Sequence, residues 1–206
     1  MKTSRWGKSV YLCVVLCFLC FLVAGCAPKE KPEDNVMSLS KGILYQDAET
    51  LSKFKVDSDK MHKEMINAFN RNFNAGSAGI FSKDQSTRVG ESCLNMLKRA
   101  EISTKAKSQD GEKAEVEITV SKFDMEKAFN EQTLVEKLKS RLPANASEKM
   151  VIETITDIMV ETMDGLQPDG TQTITVQCTY DKNNKMWMPD DVEKFTDQLL
   201  STVLDI

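Results

Sequence analysis

Histidine, glycine and proline are scarce in this 206-residue chain, which has one His, nine Gly and five Pro. So little glycine and proline excludes a collagen-like or low-complexity chain. A composition of 41% hydrophobic and 28% charged residues is that of an ordinary globular protein. With His62 alone, and no CxxC or HxxH spacing beyond the first 25 residues, no metal-ligand set can be assembled from sequence and no cofactor is expected. Basic charge is short as well. Residues 1–25 contain Lys2, Arg5 and Lys8 and no acid, so the remainder carries 24 basic against 31 acidic side chains, a net of −7. Such a body lacks the surplus of Lys and Arg needed to displace counterions from phosphates, and a nucleic-acid partner is not expected.

One long apolar run is present. The basic head MKTSRWGK is followed by residues 10–24, all apolar or cysteine, which is the layout of a secretory signal. The run is somewhat short of the roughly 20 residues a bilayer-spanning helix needs. It ends in Val23-Ala24-Gly25-Cys26, which resembles the lipobox of bacterial lipoproteins. That resemblance implies cleavage between Gly25 and Cys26, lipidation of the Cys26 sulfur, and an anchor on the extracytoplasmic face of the cell membrane. Two or three acyl chains hold firmly where one is marginal, since each buried methylene contributes about 0.8 kcal/mol. Residues 26–34, charged and proline-bearing, then read as a lipidated tether, and residues 35–206 as a single domain.

Three of the six cysteines lie in the signal and one is Cys26, which leaves Cys93 and Cys178. In an exported protein two thiols admit a disulfide. Each also fits an apolar position, Cys93 on the stripe Val89, Met96, Leu97, Ala100 and Cys178 on the alternation Ile174, Val176, Tyr180, where free cysteine acts as a small hydrophobe. Both readings stand at this point.

Helical periodicity governs residues 35–100, in four segments. Asp47 is placed to cap the second, and Ser82 with Gln85 has capping-box spacing at the start of the fourth. The period then changes to two. Residues 102–106 and 114–120 alternate with their apolar members on even numbers, so a hairpin must pair even with even. A three-residue loop at Gln109, Asp110 and Gly111 satisfies that parity. A fifth helix carries Met125, Phe129, Leu134 and Leu138, and a sixth follows Ser147. A second hairpin turns at Asn183-Asn184, pairing Tyr180 with Trp187 and placing Trp187 on the face of Val176 and Cys178, with Met186 and Met188 on the other. Asp190 with Glu193 is read as the cap of a last helix. The expected fold is therefore α+β, a four-stranded antiparallel sheet of two hairpins packed with about six to seven helices.

The lipobox, residues 42–51 (GILYQDAETL) and the strand-turn-strand of residues 173–188 together resemble the small surface lipoproteins of Gram-positive bacteria that carry an uncharacterised domain of nuclear-transport-factor-like or cystatin-like type. The resemblance spans most of residues 36–204 and brings no activity or catalytic residues with it. It implies a cavity between a curved sheet and its helices, which here would be lined by Val176, Tyr180 and Trp187. His62 has no acid and serine in a recognisable motif, and the acid pairs are explained by capping and by a solvated strand face, so no catalytic residue is assigned. The expected function is a non-enzymatic, membrane-anchored domain that binds a small ligand or an envelope protein. The alternative is an enzyme of the same fold acting on a small hydrophobic molecule.

Overall fold

The computed structural model describes residues 28–205. The signal peptide, the cleavage position at Gly25 and Cys26, and the lipidation of Cys26 lie outside these residues. Four helices come first, α1 (Pro32–Tyr45), α2 (Ala48–Lys53), α3 (Ser58–Gly76) and α4 (Lys83–Leu97). Strands β1 (Ile102–Asp110) and β2 (Lys113–Ser121) follow, then α5 (Met125–Ala128), α6 (Glu131–Arg141) and α7 (Glu148–Gly165). The chain closes with β3 (Thr171–Asp181), β4 (Met186–Pro189) and α8 (Val192–Leu204). The sheet is antiparallel in the order β1-β2-β3-β4, so the chain is α+β as expected. Among the described residues, no helix is long and apolar enough to cross a membrane.

Local chemistry sets the helix starts. The Asp47 carboxylate accepts from the Thr50 N–H at 2.7 Å, and Ser82 and Gln85 form a reciprocal capping box. Each satisfies backbone donors that the first turn leaves without intrahelical partners. Three boundaries differ from the sequence reading. Helix α1 begins at Pro32, whose missing N–H is no loss in a first turn, and Pro32 is buried; the stretch from Pro32 to Asp34 therefore belongs to the domain and not to a tether. The fifth helix is two, because the Asn130 side chain accepts from the N–H groups of Gln132 and Thr133 and starts α6 afresh after Phe129. The last helix is capped by Asp191, which accepts from the Lys194 N–H, while Asp190 accepts from the Thr179 hydroxyl at 2.5 Å.

The second hairpin has the expected register, with Tyr180 opposite Trp187, but its pairing ends at Asp181 and Met186, so Lys182 to Lys185 form a four-residue turn in place of the expected two-residue one. Its turn is held by Asp181, which accepts from the N–H groups of Asn183 at 2.8 Å and Asn184 at 3.2 Å, and Lys185 takes the left-handed conformation that closes it. The first hairpin corrects the expected loop. Asp110 pairs with Lys113 across a two-residue Gly111-Glu112 turn, and a bulge between Ala106 and Ser108 restores the even parity, so that Ala106 faces Val116.

One face of the sheet is thus apolar, with Val116, Ile118, Val120, Cys178 and Trp187 at 0% exposure. Helices α1 and α8 pack across it, and α4 lies against α1. The opposite face carries exposed Ser103, Lys105, Thr173, Thr175 and Gln177. Met186 and Met188 sit on that side of β4, half-buried, as their register requires.

Candidate functional site

Helices α3 and α8 both rest on the core but do not pack closely on each other. Each carries a doubled apolar stripe. In α8, Phe195, Leu199 and Val203 are buried toward the sheet, while Thr196, Leu200 and Leu204, one position on, stay half-exposed. In α3, Ile66 and Asn70 are buried, Asn70 donating to the Thr87 hydroxyl of α4 at 3.0 Å, and Met61, Met65, Phe69 and Phe73 turn partly outward. A residue pair four apart stacks one turn above the other. Phe69 and Phe73 do so with ring centroids 5.4 Å apart, and Phe73 meets Phe81 at 4.9 Å.

Between these two stripes lies a groove of about 930 Å³. Its floor is Cys93, Leu94 and Leu97 of α4, with Met125 and Met163. The charged side chains that line it are Glu64 and Arg71 from α3 and Glu193 and Asp197 from α8. Four of the lining side chains are methionine, the residue best able to reshape itself around an apolar guest. A second depression, about 590 Å³, lies where the first turns of α4 and α7 meet. There Arg88 bonds Glu153 and Asp157 at 2.6 Å each and Gln85 donates to Glu153 at 2.8 Å, so its charges brace the two helices against each other.

Val176, Tyr180 and Trp187 do come together on one face of the sheet, but as packing. Trp187 is fully buried, its ring lies 5.4 Å from that of Tyr180, its indole N–H donates to the Glu30 carbonyl at 2.8 Å, and its backbone N–H donates to Asn35 Oδ1 at 2.7 Å. Helix α1 fills the space the resemblance had assigned to a cavity, and none of the three residues lines the groove. The signal that would have found the groove is the doubled stripe itself. Leu199-Leu200 and Val203-Leu204 are two apolar neighbours a turn apart, and only one line of them can face a sheet.

Cys93 and Cys178 are both free and buried. Burial pushes the Cys93 thiol up to about 11, and burial with the nearby Asp190 charge pushes Cys178 up to about 12. Neither is a nucleophile at neutral pH. Both are therefore expected to resist a disulfide-exchange reagent at pH 8 in the folded protein and to titrate as two thiols once denaturant is added. Rapid modification of either in native buffer would contradict the packing described.

His62 bridges three helical segments, with Nδ1 2.6 Å from Gln46 Oε1 and Nε2 3.0 Å from Glu91 Oε1. Glu91, distant in sequence, thus faces the ring, yet the trio lies outside the groove, with no nucleophile in hydrogen-bonding contact with the ring.

No protein-family model and no curated protein sequence matches the chain. A solved structure does: the ycdA protein of Bacillus subtilis subsp. subtilis str. 168, provisionally described as a lipoprotein, superposes with a TM-score of 0.66 at 15% sequence identity. The match covers 84% of this chain and 56% of that one. The two share a fold.

Proposed function

We propose that this chain is a lipid-anchored domain on the extracytoplasmic face of a bacterial membrane, and that it binds a partner in the groove between α3, α4 and α8. The groove carries the reading: it is concave, its volume is in the range of ligand sites, and its lining is mainly apolar with four methionines that can adapt to a guest. The anchor is supported by the lipobox-like Val23-Ala24-Gly25-Cys26 and by the description of the Bacillus subtilis neighbour. The start of the domain fits it. The Glu30 carbonyl is held by the Trp187 indole and Pro32 is buried, so only residues 27–29 separate Cys26 from fixed structure. An extended chain from Cys26 to Glu30 covers at most about 14 Å, which would hold the domain close against the headgroups.

Metabolic labelling with an alkyne fatty acid tests the anchor: label is expected on the wild-type chain and absent from Cys26→Ser. Equal labelling of the two would overturn it. The groove is tested with the neutral dye Nile red. Dye fluorescence should rise on binding and fall for Met65→Asp and Leu200→Asp; unchanged fluorescence in both variants would remove the groove from the proposal.

A further inference from the structure

The walls of the groove are all helix. Their backbone N–H and C=O groups are consumed within α3, α4 and α8, so the groove offers apolar side chains and no free strand edge. An extended peptide laid there would bury its own backbone polar groups unpaired, at a cost of about 1–3 kcal/mol each, whereas a helix brings its backbone already satisfied. The lengths agree. On α3 the lining runs from Met61 to Phe73 and on α8 from Glu193 to Leu204, about 18 and 17 Å at the α-helical rise, which is roughly three turns of a guest helix.

Charge decides between the remaining guests. Of the four charged lining residues three are acidic and one is basic. Glu193 and Asp197 stand one turn apart on the exposed edge of α8, and neither makes an ion pair among the described residues. On the opposite wall Glu64 has only a distant Lys60, at 3.9 Å. Acid therefore stands on both rims, and Arg71 is the one base among the residues that line the groove. A fatty acid would bring a carboxylate to this rim and be repelled, while lysines or arginines flanking an apolar stripe would meet opposite charge on either side.

From these observations we infer that the occupant of the groove is a basic amphipathic helix of about three turns, supplied by a partner protein. This rests on the groove being a binding site and names what it takes. The test uses the mature chain, from residue 26, with Cys26→Ser so that no detergent competes. The probes are a fluorescein-labelled helical peptide of leucine and lysine with apolar residues at i, i+3, i+4 and i+7, its twin with glutamate for lysine, and palmitate. The lysine peptide is expected to displace Nile red, to gain helical circular dichroism on binding, and to bind about ten-fold more tightly than its twin, with affinity falling as salt rises. Glu193→Lys with Asp197→Lys should reduce or reverse that preference, without loss of fold by circular dichroism. Equal binding of the two peptides, or a preference untouched by the double substitution, overturns the inference. Displacement of the dye by palmitate but by neither peptide overturns the helix and keeps the groove. Failure of all three probes and of the dye to bind the folded protein overturns the groove reading with it.

Discussion

Replacing Trp187 with alanine is expected to lower the stability of the domain by roughly 3–5 kcal/mol, the range measured for truncating a large buried aromatic side chain. Trp187 is among the largest fully buried side chains and sits where three parts of the chain meet. Its ring covers Tyr180 within the second hairpin, and its indole N–H holds the Glu30 carbonyl ahead of α1. Alanine would leave a cavity under α1 that a helix fixed at Asn35 and Pro32 cannot collapse to fill. Trp187→Phe separates the contributions. It keeps most of the apolar volume and loses the indole donor, and because Glu30 is exposed its carbonyl regains water, so about 1 kcal/mol is expected from the lost hydrogen bond, plus a small packing term. Urea unfolding followed by far-UV circular dichroism measures both, with the midpoint falling and the slope unchanged. Hydrogen exchange at residues 29–35 should quicken in both variants. A loss below about 1 kcal/mol for Trp187→Ala would mean that the indole is not packed as described.

The register of this hairpin was legible in the sequence because everything that sets it is local. Asp181, Asn183 and Asn184 supply the turn, and the expected two-residue turn and the observed four-residue one leave the same parity for Tyr180 and Trp187. The first hairpin was legible only in part. Its alternation correctly put Ala106, Val116, Ile118 and Val120 on one face, but an odd loop and an even loop with one bulge give the same parity. The bulge falls at Lys107, on an exposed edge strand where no apolar side chain marks the extra residue. The groove was legible on one wall only, where Leu200 and Leu204 double the stripe of Leu199 and Val203. On the other wall Met61, Met65 and Phe69 fit a helical core stripe, and nothing local distinguishes a stripe that finds a neighbour from one left facing an open slot. That distinction depends on how far α3 stands from α8, which is fixed by the contact of α3 with α4.

The contact turns on Gly90. It is buried in the middle of α4, where glycine costs a helix about 1 kcal/mol relative to alanine, and its hydrogen faces the rings and methyls of α3. A Cβ built there would lie 2.9 Å from Phe69 Cδ1 and 3.2 Å from Ile66 Cδ1. Phe69 is half-exposed on the groove wall and can swing into the groove to relieve that approach, whereas Ile66 is buried against α4 and has nowhere to go. Gly90→Ala is therefore expected to cost about 1 kcal/mol, the crowding of the unmoved Ile66 outweighing the gain in helix propensity, and to narrow the groove. Gly90→Leu cannot be accommodated by one ring. It must lift α3 from α4, stretch the 3.0 Å Asn70–Thr87 hydrogen bond one turn away, and cost about 2–3 kcal/mol through overpacking. Because α3 is a groove wall, Nile red binding should weaken by about ten-fold in Gly90→Leu, at a urea concentration where the variant is still folded. Surface variants of equal stability loss, far from α3, should leave the dye affinity unchanged. Gly90→Leu with wild-type stability would show that α3 and α4 are not in contact here. Lost stability with wild-type dye affinity would show that the α3–α4 contact does not set the shape of the groove.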